Sequence, residues 1–174
     1  HEFNDNHNML YVHWTGVAQS KTVVVLSRAI RQTSASTSYL YVSNDYGVHY
    51  NNQSHKLKFS KNGIAKQGLI ERFYVSPNRH DWYIFADTTN NIIFTSKTDC
   101  KTFTHHVLDF KPSDITFHGS KHNGLLAWDD ETHTIYYSND FGANWNEREK
   151  NVTSYYWGMD KLDPNDTVYL EIDN

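Results

Sequence analysis

A chain of 174 residues with sixteen lysines and arginines against twenty aspartates and glutamates carries a formal net charge of −4. With the basic residues scattered and no basic face expected, that balance argues against a nucleic-acid partner, and no apolar run approaches the ~18 residues needed to span a bilayer. Aromatic residues make up 15% of the chain and β-branched residues are plentiful, while no long stretch carries a helical apolar stripe, so the expectation is an all-β domain.

The chain opens at His1 with no signal peptide ahead of it, so it is expected to be part of a longer translation product. Strands are expected over Met9 to Trp14, Thr22 to Ala29 and Tyr39 to Ser43, and the run Val23-Val24-Val25-Leu26 reads as a strand buried on both faces. The third of these leads into Ser43-Asn44-Asp45-Tyr46-Gly47-Val48-His49-Tyr50, an Asp-box. Gly47 supplies a φ > 0 turn position, the Ser43 and Asp45 side chains can satisfy loop amides, and Tyr50 is expected to drop into the core between sheets. Gln32 to Ser38 and Asn51 to Gly68 read as polar connections, the second long enough for a surface loop.

Leu69 to Val75, Trp82 to Ala86, Ile92 to Thr95 and Phe103 to Leu108 read as the next four strands. Within them Ser96-Lys97-Thr98-Asp99-Cys100-Lys101-Thr102-Phe103 falls in step with the box, but Thr98 stands at the Asp position and Cys100 at the Gly position, so this hairpin is expected to depart from the regular geometry. Ile115 to His118, Leu125 to Trp128, Ile135 to Tyr137 and Trp145 onward follow, around the intact box Ser138-Asn139-Asp140-Phe141-Gly142-Ala143-Asn144-Trp145. Tyr155 to Gly158 and Val168 to Ile172 then open a further set.

The boxes recur every roughly 40 to 55 residues, the period of a β-propeller blade. Val75-Ser76-Pro77-Asn78 and Leu162-Asp163-Pro164-Asn165, Pro-Asn turns that each feed an apolar strand, mark the same repeat at another corner. The expected blades span about residues 8–50, 69–108, 114–150 and 155–174. Because the Pro164 turn predicts another box beyond Asn174, and closed rings need ~4 or more blades, the chain is expected to be a fragment of a larger ring.

Asp45 and Asp140 recur once per blade at a hairpin, so they face different directions around a ring and read as structural rather than catalytic. His105-His106, with His118, His122 and His133, show no repeated ligand spacing, and surface positions are expected for them, with a role as titrating groups in acid left open. Asp129-Asp130-Glu131 reads as a solvated turn rather than a calcium site. Cys100 is either a small buried hydrophobe or one half of a bridge to a more distant part of the protein. Asn52, Asn151 and Asn165 head Asn-x-Ser/Thr sequons and are candidate N-glycosylation sites. No catalytic, metal or cofactor site is read from the residues.

Asn8 to Gly16, with its His13-Trp14-Thr15-Gly16 end, Tyr41 to Gly47, Tyr83-Ile84-Phe85-Ala86-Asp87, Trp157-Gly158-Met159-Asp160 and Thr167 to Glu171 occur in the order and spacing of one receptor family. On those residues nearly the whole chain resembles the amino-terminal part of a sortilin-type, vacuolar-protein-sorting receptor domain, within the branch that also carries lipoprotein-receptor repeats. The resemblance implies a ten-bladed propeller with a wide tunnel, in the luminal or extracellular part of a single-span receptor. Such a receptor binds propeptides, neuropeptides, growth factors, lipoprotein-type ligands or other protein cargo and carries it among Golgi, endosomes and the cell surface. A peptide can bind such a wall by adding as a strand to a blade edge. No ligand residue carries over to this segment. The competing reading is an Asp-box glycoside hydrolase of the sialidase kind, which needs three arginines from separate blades, an Arg-Ile-Pro-like stretch before the first box and a Tyr nucleophile backed by Glu; Arg28, Arg31, Arg72, Arg79 and Arg148 show no such stretch.

Overall fold

The computed structural model describes residues 1–14, 16, 20–29, 37–158 and 167–173. Expectations for Arg31, Pro164, Asn165 and most of the Gln32 to Ser38 connection lie outside those residues. The first sheet is an antiparallel meander of β1 (Met9–Trp14), β2 (Val23–Arg28), β3 (Ser38–Ser43) and the short β4 (Asn51–Asn52). A 3-10 turn at Ser54–Lys56 and a separate hairpin, β5 (Lys58–Lys61) and β6 (Ile64–Gln67), follow. The second meander is β7 (Arg72–Val75), β8 (Tyr83–Asp87), β9 (Ile92–Ser96) and β10 (Thr104–Val107). The third is β11 (Asp114–Phe117), β12 (Leu125–Asp129), β13 (Thr134–Ser138) and β14 (Asn146–Glu149), and β15 (Val152–Trp157) pairs with β16 (Val168–Ile172).

The meanders are propeller blades in register with one another. Ser43 pairs with Val23, Ser96 with Tyr83 and Ser138 with Leu125, so each box begins opposite the first residue of its blade's second strand. Period-2 alternation then divides every central strand between two interfaces. Val24, Leu26, Leu40 and Val42 of the first blade meet Tyr83, Phe85, Ile92 and Phe94 of the second. Ile84 and Ile93, on the other face of the second blade, meet Leu125, Ala127 and Phe141 of the third. Leu126 and Ile135 turn to the fourth sheet, where Val152, Tyr155, Trp157 and Val168 close over them. Central strands sandwiched in this way lose solvent from both faces, which is why β2, β8 and β9 read as continuous apolar runs.

The segment from Asn51 to Gly68 is not the surface loop its polarity suggests. It supplies the fourth strand of the first blade and then the β5–β6 hairpin, whose Leu57 and Phe59 are buried in the cluster between the first two blades. Ser54 fixes the entry, accepting from the Leu40 amide at 2.8 Å and donating to Asn52 Oδ1 at 2.6 Å. Gly68 fixes the exit: a Cβ there would lie 2.6 Å from the Phe94 ring. Two apolar residues among many polar ones are enough to pin the segment, and composition averages them away.

Candidate functional site

Two sets of residues recur around the arc, one holding blades together and one lining their open edges. The first begins at the boxes. Ser43 Oγ accepts from the amides of Gly47 at 2.8 Å and Asp45 at 3.3 Å, while Asp45 Oδ1 accepts from the His49 amide at 2.9 Å. Ser138 does the same for Gly142 and Asp140 at 2.9 and 3.3 Å, and Asp140 for Asn144 at 2.9 Å. The worn copy does not depart from this geometry. Ser96 Oγ accepts from Cys100 and Thr98, and Thr98 Oγ1 takes the carboxylate's part by accepting from the Thr102 amide at 2.9 Å. A threonine hydroxyl suffices because the turn asks that position for one acceptor.

Each box also places two consecutive residues at positive φ: Tyr46 and Gly47, Asp99 and Cys100, Phe141 and Gly142. The first of each pair donates its amide across the sheet to a carbonyl two residues before the second strand, Lys21, Asp81 and Asn123 respectively, at 2.9 to 3.0 Å. Hydrogen bonds from the His49 amide and imidazole, with the Ser43 hydroxyl, hold the Asp45 carboxyl down to about 2. Burial opposes ionisation of Asp140, but its bonds from Asn144 and Ser138 outweigh that and hold it low too.

The box-ending aromatics do not fill the core as their position suggests. Tyr50, Phe103 and Trp145 are each half-buried; Tyr50 lies over the turn glycine, and Trp145 donates Nε1 to the Gly142 carbonyl at 3.0 Å. The fully buried rings include Tyr83, Phe85, Phe94 and Phe141. Cys100 is buried beside them with a free thiol, which burial pushes well up from its ordinary range.

A further repeat escaped the sequence reading. Asp87 and Asp129 end the second strands of their blades, are buried, and accept from the amides of Leu69 and Lys111 respectively on the way to the first strand. Each also organises its own turn, Asp87 Oδ1 accepting from Asn90 and Asp129 Oδ1 from Glu131. Asp129 is therefore a buried organiser and not part of a solvated turn, whereas Asp130 and Glu131 are exposed and paired with Lys111. Burial raises the Asp87 carboxyl. Among the described residues no cluster of His, Cys, Asp and Glu could hold a metal ion.

The histidines divide. His105, His122 and His133 are exposed, but His118 is buried, with Nδ1 accepting from the Ser120 and Lys121 amides at 3.1 and 3.0 Å and its ring 4.7 Å from Trp157. Of the arginines, Arg79 pairs with Asp81 in a turn, Arg148 lies over Tyr137 on an outer strand, Arg72 stands on β7, and Arg28 ends β2. They do not form a triad among the described residues. Asn52 and Asn151 are exposed.

The second set lies on the first strands β1, β7, β11 and β15, each of which is the edge of its sheet and leaves backbone groups unpaired on one side. Asp114 on β11 ties three of them together, accepting from Tyr74 on β7 at 3.5 Å and from Tyr155 on β15 at 2.5 Å. Burial and then this carboxylate push both phenols well above their ordinary range. Between β1 and β7 a groove of about 680 Å³ is lined by Leu10, Tyr11, Val12, His13, Arg72, Phe73 and Val75. Leu10 is 53% exposed and Val12 63%, so this edge offers apolar side chains and open backbone together. His13 lies at its floor against Phe73 and Tyr83, with Nε2 buried and unpartnered, and burial lowers its pKa.

Comparison with known proteins adds to this geometry. A family model, Sortilin-Vps10, described as "Sortilin, neurotensin receptor 3", matches residues 18–174. The chain is similar to the sortilin-related receptors of rabbit (Oryctolagus cuniculus) and human at 34% identity and of mouse at 33%, over 172 residues in each case. Those alignments cover 97% of this chain and 8% of each relative, so the chain spans a small part of the length of the proteins it matches.

Proposed function

This chain belongs to the Sortilin-Vps10 family, and from that premise we propose that it forms part of the luminal, ligand-binding propeller of a single-span sorting and endocytic receptor. In this reading the described sheets are consecutive blades of a ten-bladed ring, and the whole receptor binds propeptides, neuropeptides or other protein cargo. It carries that cargo between Golgi, endosomes and the cell surface. Asn52 and Asn151 carry N-linked sugar on the exposed rim, as suits the secretory route.

The observation that carries the reading is the β1 edge. An extended peptide pairs its backbone with the open side of β1 and sets alternate side chains into the groove beside Val12, Phe73 and Val75. Backbone pairing supplies affinity that tolerates different sequences, and the pockets supply preference, a combination suited to varied cargo. The glycosidase alternative has less support, since Arg28, Arg72, Arg79 and Arg148 are spread over different corners.

Val12→Lys in the intact receptor ectodomain tests the proposal, because Val12 lines the groove and is 63% exposed in the described chain. Binding of synthetic propeptides by surface plasmon resonance is expected to weaken by about tenfold or more. Unchanged binding of every peptide would remove this edge from the ligand site.

A further inference from the structure

The β5–β6 hairpin overturns the expectation of scattered basic residues with no basic face. From Tyr46 to Ile70 the chain has none of its twenty acidic residues, yet Lys56, Lys58, Lys61 and Lys66 lie within it, in a protein whose net charge is −4. All four lysines are exposed. Lys56 donates Nζ to the Lys101 carbonyl at 2.9 Å, and no carboxylate pairs with Lys58, Lys61 or Lys66 among the described residues. The hairpin is held at its base by Leu57 and Phe59 and by the Gly68 amide, which donates to the Leu57 carbonyl at 2.7 Å. It is thus a positioned cationic ribbon.

The backbone of the ribbon adds a second property. β5 and β6 form a two-stranded sheet with each other only, so β6 is an open edge, and every residue of β6 is exposed. Register places Lys66 opposite Phe59 and Lys61 opposite Ile64, so those two lysines share one face, while Lys58, opposite Gln67, projects from the other. A strand laid beside β6 would meet Lys66 directly, with Lys61 on the same face and Lys58 on the other, both one strand further in on β5.

We propose that the β5–β6 hairpin is a docking edge, separate from the β1–β7 groove, for an extended acidic segment of a protein partner. Charge complementarity selects an anionic partner. The open strand edge favours a peptide over a sulfated glycan, because only a peptide can use the unpaired amides and carbonyls of β6 while its carboxylates reach the lysines. The inference does not rest on the groove reading, and the two can fail separately.

The test is fluorescence anisotropy of the intact protein with a fluorescein-labelled twelve-residue peptide of alternating glutamate and threonine. The expected result is saturable binding that weakens as salt rises, that falls about tenfold or more with the glutamine counterpart of the probe, and that falls comparably when alternate probe amides are N-methylated. The surface triple variant Lys58→Gln, Lys61→Gln, Lys66→Gln should lose the probe while keeping the wild-type melting curve, and Val12→Lys should leave binding unchanged. Equal binding of the N-methylated probe, capture of heparin without the peptide, no loss in the triple variant, or loss caused by Val12→Lys would each overturn the proposal.

Discussion

Ser27 donates its hydroxyl to the Asp5 carboxylate at 2.8 Å, and the pair rebuilds in the first blade what a single aspartate does in the next two. Ser27 stands in β2 where Asp87 and Asp129 stand in β8 and β12, four residues after the partner of each box serine. In the second and third blades the second strand holds the carboxylate and the incoming segment donates to it. In the first blade the roles are exchanged, and Asp5 also accepts from the Tyr41 phenol at 3.1 Å.

Removing the carboxylate should therefore be felt in two places. Asp5→Ala is expected to cost about 1–3 kcal/mol of stability, measured by urea denaturation, since it strips an acceptor from buried Ser27. Burial and then the Asp5 bond hold the Tyr41 phenol up at about 12, and the variant should titrate lower by ultraviolet absorbance. Ser27→Asp alone should destabilise by setting two carboxylates together, and Ser27→Asp with Asp5→Asn should recover much of the loss.

The box positions make a second, ordered prediction. Phe141→Ala is expected to cost about 3–5 kcal/mol because the ring is fully buried between the second and third blades. Trp145→Ala should cost less, since its ring is half-exposed, and Asp140→Ala about 1–2 kcal/mol through lost turn bonds. Chemical denaturation of the three variants checks the order, and a Trp145 loss exceeding that at Phe141 would contradict it.

Much of this was legible in the sequence, and the exceptions have physical causes. Box spacing and alternation placed every central strand, because both are periodic. Asp87 and Asp129 were missed as a pair because their partners are backbone amides, which leave no residue signature, and because Ser27 breaks the pattern in the first blade. The β1–β7 groove was not visible either, since it joins strands separated by a whole blade. The hairpin was hidden by its own solubility: only Leu57 and Phe59 mark its base.

That attachment can be measured. Phe59→Ala should cost about 3–5 kcal/mol, as for other buried rings, and should expose β5 and β6 to proteolysis before the blades unfold. A cost near zero would mean that the segment behaves as the loop its composition suggests.

Acid should weaken the contact of the first two blades. Burial lowers the His13 pKa below its ordinary value of 6.5, so as pH falls the unfolded chain takes up the proton first. Stability contributed by neutral His13 is then present above about pH 6.5 and lost as pH falls through the lowered value. The groups facing its ring include the Phe73 ring and the Tyr83 phenol, neither of them charged. Burial lowers His106 in the same direction. Urea melts at pH 7.4 and 5.5 should show a smaller drop for His13→Gln than for the wild type.

Hydrogen exchange of the intact receptor ectodomain, with and without a bound cargo propeptide, tests the central claim most directly. New protection of the β1 amides, over Met9 to Trp14, is expected when the peptide adds to that edge. Protection confined to regions outside β1 and β7, with these strands exchanging as in the free protein, would contradict it.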